Sequence, residues 1–419
     1  MMRQSGDLPT VDTYAATATG NSGDVRIGLN IDPPAGCPGR TSIIATQPAR
    51  MIRLAEPQAA GVMYIQPEHH RPAIRSNGDR FMSLPRYAVL LASLGFSAAA
   101  CAASPAHYPL TLDNCGVPLT FTQAPGKAVT IGQSATEILY SLGLADKVVG
   151  TSLWFNDVLA PFKAQNANIP RLADNDPSFE AVINKRPDLV AVQFEWMVGP
   201  QGVVGTRQQF SEMNIATYLM PSDCEGKDNL VGADGTRLRP FSVDSLYKTV
   251  DQLGQIFDVQ PRAEQLNAEL RGRLAKAQAS VKNKALQQAS ALFWFSSADL
   301  KVDPYVAGRK GIPAFMMDTL GLRNIVQSDE EWPTVGWETI AKANPTILVL
   351  ARMDRRRFPA DDVAKKLEFL KTDPVTRNMD AVKHNRIVVL DAQAMEATIR
   401  TFDGIDELAS AIDHFDLPR

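Results

Sequence analysis

The residues best placed for chemistry are one serine on a predicted sharp turn and several aromatic and arginine side chains just past apolar runs. Gly132, Gln133 and Ser134 follow the run AVTIGQ and approach the pattern of a nucleophile elbow, but Thr136 stands where the second glycine belongs. Outside the N-terminal segment only His107, His384 and His414 are available as a base, and none sits in a recognisable catalytic phrase. The chain has no HExxH, no CxxC and no phosphate-cradling glycine loop. Catalysis is therefore poorly supported, and the sequence implies neither a metal nor a cofactor.

The aromatic residues point to binding. Trp154 and Trp196 follow predicted strands, while Trp332 and Trp337 precede a predicted helix. In open parallel sheets, ligands bind beyond the carboxyl ends of the strands. Trp294 lies within a strand, where a core role outweighs a binding one. Arg309 in VAGRKG and Arg352 in LARMDRRR also follow apolar runs and are suited to an anionic ligand. Taken singly each fits a solvated surface equally well, so the clustering carries the reading.

These residues must be positioned by alternating strands and helices. The predicted strands of a first lobe are 128–133, 147–152, 187–194 and 215–220, and SATEILYSLGL between the first two has Ile138, Leu139 and Leu142 on one helical face. That rhythm predicts a mainly parallel sheet covered on both faces. Residues 223–240 are polar and turn-rich, and read as a surface loop. Two helices follow, one with Leu246, Val250, Leu253, Ile256 and Phe257 on a face. The other opens at Pro261 and repeats Ala263, Leu266, Leu270, Leu274, Ala277 and Val281 at steps of three or four. It is long enough to cross between domains. Alternation then resumes at 289–297, 345–352 and 385–392. The expected boundaries are an N-terminal α/β lobe at 115–260, a connecting helix at 261–284 and a C-terminal α/β lobe at 285–419. One phrase occurs in both lobes: SFEAVINKRPDLVAV from Ser178 and GWETIAKANPTILVL from Gly336. Each has an aromatic followed by a glutamate, Glu180 or Glu338, and a proline seven residues later that opens an apolar run.

A length of 419 residues with 45% hydrophobic content, 21% charged residues and a net charge of -3 describes a globular protein of two domains. No basic stripe with interleaved aromatics is present, so nucleic acid is not a favoured partner. Residues 1–81 lack helical or strand periodicity and read as disordered or as spurious upstream sequence. From Met82 the chain has the layout of an export signal: Arg86, an apolar stretch to Phe96, then small residues ending at Cys101. Ala98 to Cys101 resembles a lipoprotein cleavage box, in which Cys101 would carry the lipid. Ala98 stands where leucine is usual, and ordinary cleavage after Ala100 or Ala102 is the alternative. Export permits disulfides. Cys115 and Cys224 then remain as a pair, either bonded or as two unrelated buried thiols.

Six stretches taken together resemble the substrate-binding proteins of ABC importers for ferric siderophores, cobalamin and haem. They are VTIGQSATEILYSLGLADKVVGTS, SFEAVINKRPDLVAV, the helix after Pro261, VAGRKGIPAFMMDTLGL, GWETIAKANPTILVL and DAVKHNRIVVLDA. The resemblance covers the chain from about Cys115 to its end. It implies two doubly wound, Rossmann-like α/β lobes joined by a long rigid α-helix, with a ligand held between them by a monomer that is not an enzyme. The implied ligand contacts are Ser134, Trp154 and Trp196 on one side and Trp294, Tyr305, Arg309, Arg352 and Met395 on the other. An iron–siderophore chelate is the first choice of ligand, ahead of cobalamin or another corrinoid and haem. The implied partner is a permease dimer with its ATPase, docked through Glu180 and Glu338. The segment 223–240 is longer than the family's usual pattern and bears on the shape of the cleft. An exported α/β hydrolase-like enzyme using Ser134 is the alternative.

Overall fold

In the computed structural model, Leu110–Asn114 (β1) and Val117–Phe121 (β2) pair as an antiparallel hairpin that leads into the first sheet. The structure describes residues 108–231, 235–282, 286 and 288–417, so the signal-like segment 82–101, Cys101 and the extension before it lie outside the described residues.

The first lobe is built from Ala128–Ile131 (β3), Gln133–Ser141 (α1), Val148–Ser152 (β4), Lys163–Asn166 (α2), Arg171–Ala173 (β5), Phe179–Ile183 (α3), Leu189–Val192 (β6), Arg207–Glu212 (α4) and Ala216–Leu219 (β7). Its strands lie side by side in the order β5-β4-β3-β6-β7, all parallel. The chain starts in the middle, winds to one edge and then crosses to the other, so β3 and β6 flank the switch point where the loops past both strands splay open. β3 and β6 are buried along their whole length because helices cover both faces, which is why they read as unbroken apolar runs.

The segment after β7 departs from the expected surface loop. Lys227–Asp228 (β8) and Thr236–Arg237 (β9) pair as a small antiparallel hairpin. Asp223, Lys227 and Arg237 are nearly devoid of solvent, because the hairpin lies against the second lobe. A disulfide joins Cys115 to Cys224, tying the root of this hairpin to the end of β1.

Asp244–Ile256 (α5) and Gln260–Val281 (α6) follow. The α6 stripe predicted from spacing is buried at Ala263, Leu266, Leu270, Ala277 and Val281, with Leu274 half-buried at its margin. At about 1.5 Å per residue α6 spans roughly 33 Å. Near its start Arg262 donates to the carbonyl of Ser141 in the first lobe; further along, Arg273 pairs with Asp403 and Asp406 of the second. The helix therefore belongs to both lobes.

The second lobe comprises Ser290–Ser296 (β10), Tyr305–Val306 (β11), Ile312–Leu320 (α7), Arg323–Asn324 (β12), Trp337–Ala343 (α8), Ile347–Arg352 (β13), Val363–Thr372 (α9), Asp380–Lys383 (α10), Ile387–Asp391 (β14) and Arg400–His414 (α11). The sheet order is β11-β10-β13-β14, with β12 also against β10. β10, β13 and β14 are parallel and β11 is antiparallel to β10. The fold is thus two α/β lobes bridged by α6.

Candidate functional site

At the switch point of the first lobe, Gly132 has φ 116° and caps α1. A side chain there would collide with Gln193, whose amide oxygen accepts from the backbone N–H of Ser134 at 3.0 Å. This turn aims Gln133 and Ser134 across the gap. The Ser134 hydroxyl donates to the carbonyl of Ala397 at 3.0 Å, and Gln193 faces Gln393 at 3.4 Å. Gln133 accepts from the N–H groups of Phe155 and Asn156, which fixes the loop after β4. Asn156 in turn donates to the carbonyl of Arg352 and to Asp391, and accepts from the N–H of Asp354.

The deepest part of this seam is ionic. Arg400 at the start of α11 grips Glu137 of α1 through two nitrogens and also pairs with Asp391. Burial alone would lower the guanidinium's pKa, but hydrogen bonding to Glu137 and the charges of Glu137 and Asp391 outweigh it and hold Arg400 protonated. The lobes therefore meet over the centre of the cleft.

Beyond the seam lies a cavity of about 270 Å³, lined by Phe155 from the first lobe and by Phe295, Ser296, Tyr305, Trp332, Met353, Arg355, Arg357, Phe358 and Asp361 from the second. Phe295 of β10 packs its ring on Trp332, centroids 4.6 Å apart. Arg355 lies over the Phe155 ring at 4.5 Å and donates from its backbone N–H to the Phe155 carbonyl, closing one wall across the lobes. Burial, then the neighbouring Arg357 charge, lowers the Arg355 pKa. Asp361 accepts from the N–H groups of Arg357 and Phe358 and bonds the Ser296 hydroxyl, so the arginine-bearing loop is rigidly cast. Aromatic walls with two guanidinium groups suit a bulky chelate with apolar surface and electron-rich oxygens.

Of the eight contacts implied by the resemblance, only Tyr305 lines this cavity. Trp294 is fully buried and packs edge-to-face on Trp337, since position 294 of β10 faces the helical layer and position 295 the cleft. Arg352 is displaced for the same reason: it ends β13 on the face where its charge acts on Glu407 of α11, while Met353 turns to the cavity. Trp154 is buried with its indole N–H on Thr151, and Arg171 lies over its ring. Met395 is buried in the core, Ser134 is engaged in the seam, and half-buried Trp196 stacks with Phe194 away from the cavity. Arg309 pairs with Asp329, and with Lys310 it holds that carboxyl down to about 2. With its hydroxyl bonded to a carbonyl across the lobes, Ser134 is not poised as a nucleophile, which removes the basis of the hydrolase alternative. The arginines that do line the cavity, Arg355 and Arg357, stand in the same LARMDRRR run, in the loop beyond the end of β13.

Glu180 and Glu338 occupy matching places. Each is exposed and second in its helix, after an aromatic that is packed inward: Phe179 on Phe210, Trp337 on Trp294 and Phe369. Neither forms an ion pair with the described residues. The repeated phrase is therefore one structural device used once per lobe.

Two α/β lobes on a helical bridge with an aromatic-lined cavity between them are the architecture of a solute-binding protein. The family model described as periplasmic binding protein matches residues 129–394, and the chain belongs to that family. An uncharacterised ABC transporter substrate-binding lipoprotein of Bacillus subtilis is 25% identical over 307 residues, 73% of this chain and 86% of the relative. A periplasmic binding protein of Veillonella parvula superposes with TM-score 0.61 at 22% identity, covering 74% of this chain and 98% of the other. The structure titled as an ABC-type Fe3+-hydroxamate transport system from Saccharomonospora viridis gives TM-score 0.59 at 25% identity, covering 73% and 99%. The protein is thus a substrate-binding protein of that family, and it is not an enzyme.

Proposed function

We propose that this protein captures a ferric chelate of the hydroxamate siderophore type outside the cytoplasm and hands it to an ABC permease driven by its ATPase. The observation that carries the proposal is the cavity between the lobes, where Phe155, Phe295, Tyr305 and Trp332 are interleaved with Arg355 and Arg357. The aromatic faces take the apolar arms of such a chelate, and the guanidinium groups take its oxygen-rich, electron-dense metal face. At about 270 Å³ the cavity admits one part of the ligand and leaves the rest at the mouth. Likeness to the Fe3+-hydroxamate system supports this choice over a corrinoid or haem. Export through the segment 82–101 with lipid attachment at Cys101 completes the reading, in keeping with the lipoprotein relative. Exposed Glu180 and Glu338 serve as the two permease-docking carboxylates.

The test is titration of intrinsic tryptophan fluorescence with a ferric trihydroxamate, cobalamin and haemin in separate arms. A saturable 1:1 response to the trihydroxamate is expected, and Phe155→Ala or Arg357→Met should each weaken it about tenfold or more, roughly 1.4 kcal/mol. A response confined to haemin or cobalamin would replace the ligand class, and equal affinity in both variants would remove the cavity as the site.

A further inference from the structure

The hairpin β8–β9 continues into the second lobe as a hydrogen-bonded ribbon. Arg237 donates its backbone N–H to the carbonyl of Asp329 at 3.1 Å, Glu331 donates to the carbonyl of Gly235 at 3.1 Å, and Thr236 bridges Glu330 in antiparallel register. On its other side the same stretch accepts from Arg309 at Ser328, from Gly308 at Glu331 and from Val306 at Pro333. Residues 328–334 are therefore a strand-like link between the first lobe's hairpin and β11. Gly308 is what lets it close: a side chain there would lie 1.9 Å from the carbonyl oxygen of Glu330. Across the link Arg237 and Glu331 form a buried ion pair, 2.6 Å apart with side chains only 3% and 4% exposed, though without hydrogen-bond geometry. Arg237 also donates to the Ser222 carbonyl and lies over Phe241, both in the first lobe. The residue after Glu331 is Trp332, a wall of the cavity, and Thr334 bridges Tyr305, another wall.

We infer that this hairpin is a second tether between the lobes, and that Arg237 is a positioning residue: through Glu331 it sets the Trp332 and Tyr305 walls of the ligand cavity. The part concerning ligand rests on the cavity being the binding site proposed above. A surface loop that merely covered the second lobe would leave Trp332 indifferent to residue 237. A tether fixes the separation of the lobes at a second place besides α6, so the cavity keeps its shape before ligand arrives and no ordering is required on binding.

The experiment uses the full chain and its Arg237→Met, Arg237→Lys and Trp332→Phe variants, with Arg271→Met as an exposed control. Acrylamide quenching, with the Trp332→Phe background subtracted, reports Trp332 without any ligand. Arg237→Met should raise Trp332 accessibility severalfold, Arg237→Lys should restore part of the native value, and Arg271→Met should leave it unchanged. Ferric trihydroxamate affinity should fall about tenfold in Arg237→Met. Unchanged Trp332 quenching in a folded Arg237→Met variant would overturn the inference. Absence of chelate binding by the unaltered chain would instead remove the proposed ligand and leave the quenching result standing. If Arg237→Met fails to fold, amide exchange on the unaltered chain decides: Arg237 and Glu331 should exchange as slowly as β10, and fast exchange at both would overturn the tether.

Discussion

Lys366 of α9 shows how one residue supports the site from behind. It is fully buried, and its Nζ donates to the carbonyls of Phe295 and Ala351, where β10 and β13 diverge beneath the cavity. Burial pulls its pKa down to about 7, only partly countered by the Asp361 charge. In the unfolded chain lysine titrates near 10.4, so between about pH 7 and pH 10 the unfolded state holds a proton that the native state lacks. Stability therefore rises with pH through that window, by up to about 1.4 kcal/mol per unit, and is level below about pH 7, where both states hold the proton. Lys366→Met should abolish the rise: denaturant midpoints followed from pH 6.5 to 9.5 should climb in the parent relative to the variant, and parallel curves would show that Lys366 is charged in the fold. At this scale the sequence was legible in type but not in parity. Its aromatic and arginine composition pointed to a cleft, and Tyr305 and the LARMDRRR run border the cavity proposed as the site. The exchange of Trp294 for Phe295 turned on which face of a strand each residue took, and a buried run such as SALFWFS carries no alternation from which to read it, while Arg352 ends β13 and the lining residues after it lie in the loop beyond.

Among the elements, the hairpin after β7 was the hardest to foresee. Its residues are polar because they meet polar residues of the other lobe, and a sequence window does not reveal a partner located 100 positions away. The cysteines could not decide between a bond and two thiols for the same reason. The disulfide closes a chain segment with sequence separation 109, from the end of β1 to the hairpin's root. A loop of that length gives a stabilisation of about 2–5 kcal/mol in the unfolded-state model. Replacing both Cys115 and Cys224 with alanine should lower unfolding free energy by that amount, measured in denaturant, and should raise proteolytic cleavage within 225–235. Loss of stability without new cleavage there would confine the bond's role to the first lobe. The helices were more legible: α5 and α6 show buried stripes at the spacings that predicted them, because an amphipathic pattern is a local property of the chain.

At the scale of the molecule, α6, the Arg400–Glu137 seam and the hairpin hold two lobes that each display one exposed glutamate on the first turn of a helix. The repetition was visible in sequence because each copy is local: an aromatic packs inward, the glutamate after it faces out, and a proline stands two residues ahead of the next strand. A glutamate there also favours the positive helix end, worth about 1 kcal/mol or less, so stability alone does not explain the exposure of both. If they dock the two permease subunits, the fixed spacing of the lobes makes them act as a pair, with rim carboxylates steering and registering the complex more than tightening it. Glu180→Ala with Glu338→Ala should then leave trihydroxamate affinity within about twofold and unfolding free energy within about 1 kcal/mol, while uptake of the labelled chelate by cells falls to near the level without the protein. Each single substitution should reduce uptake partially, since one lobe remains in register. Unimpaired uptake in the double variant would mean that the carboxylates serve only their own helices and that the permease reads another surface of the paired lobes.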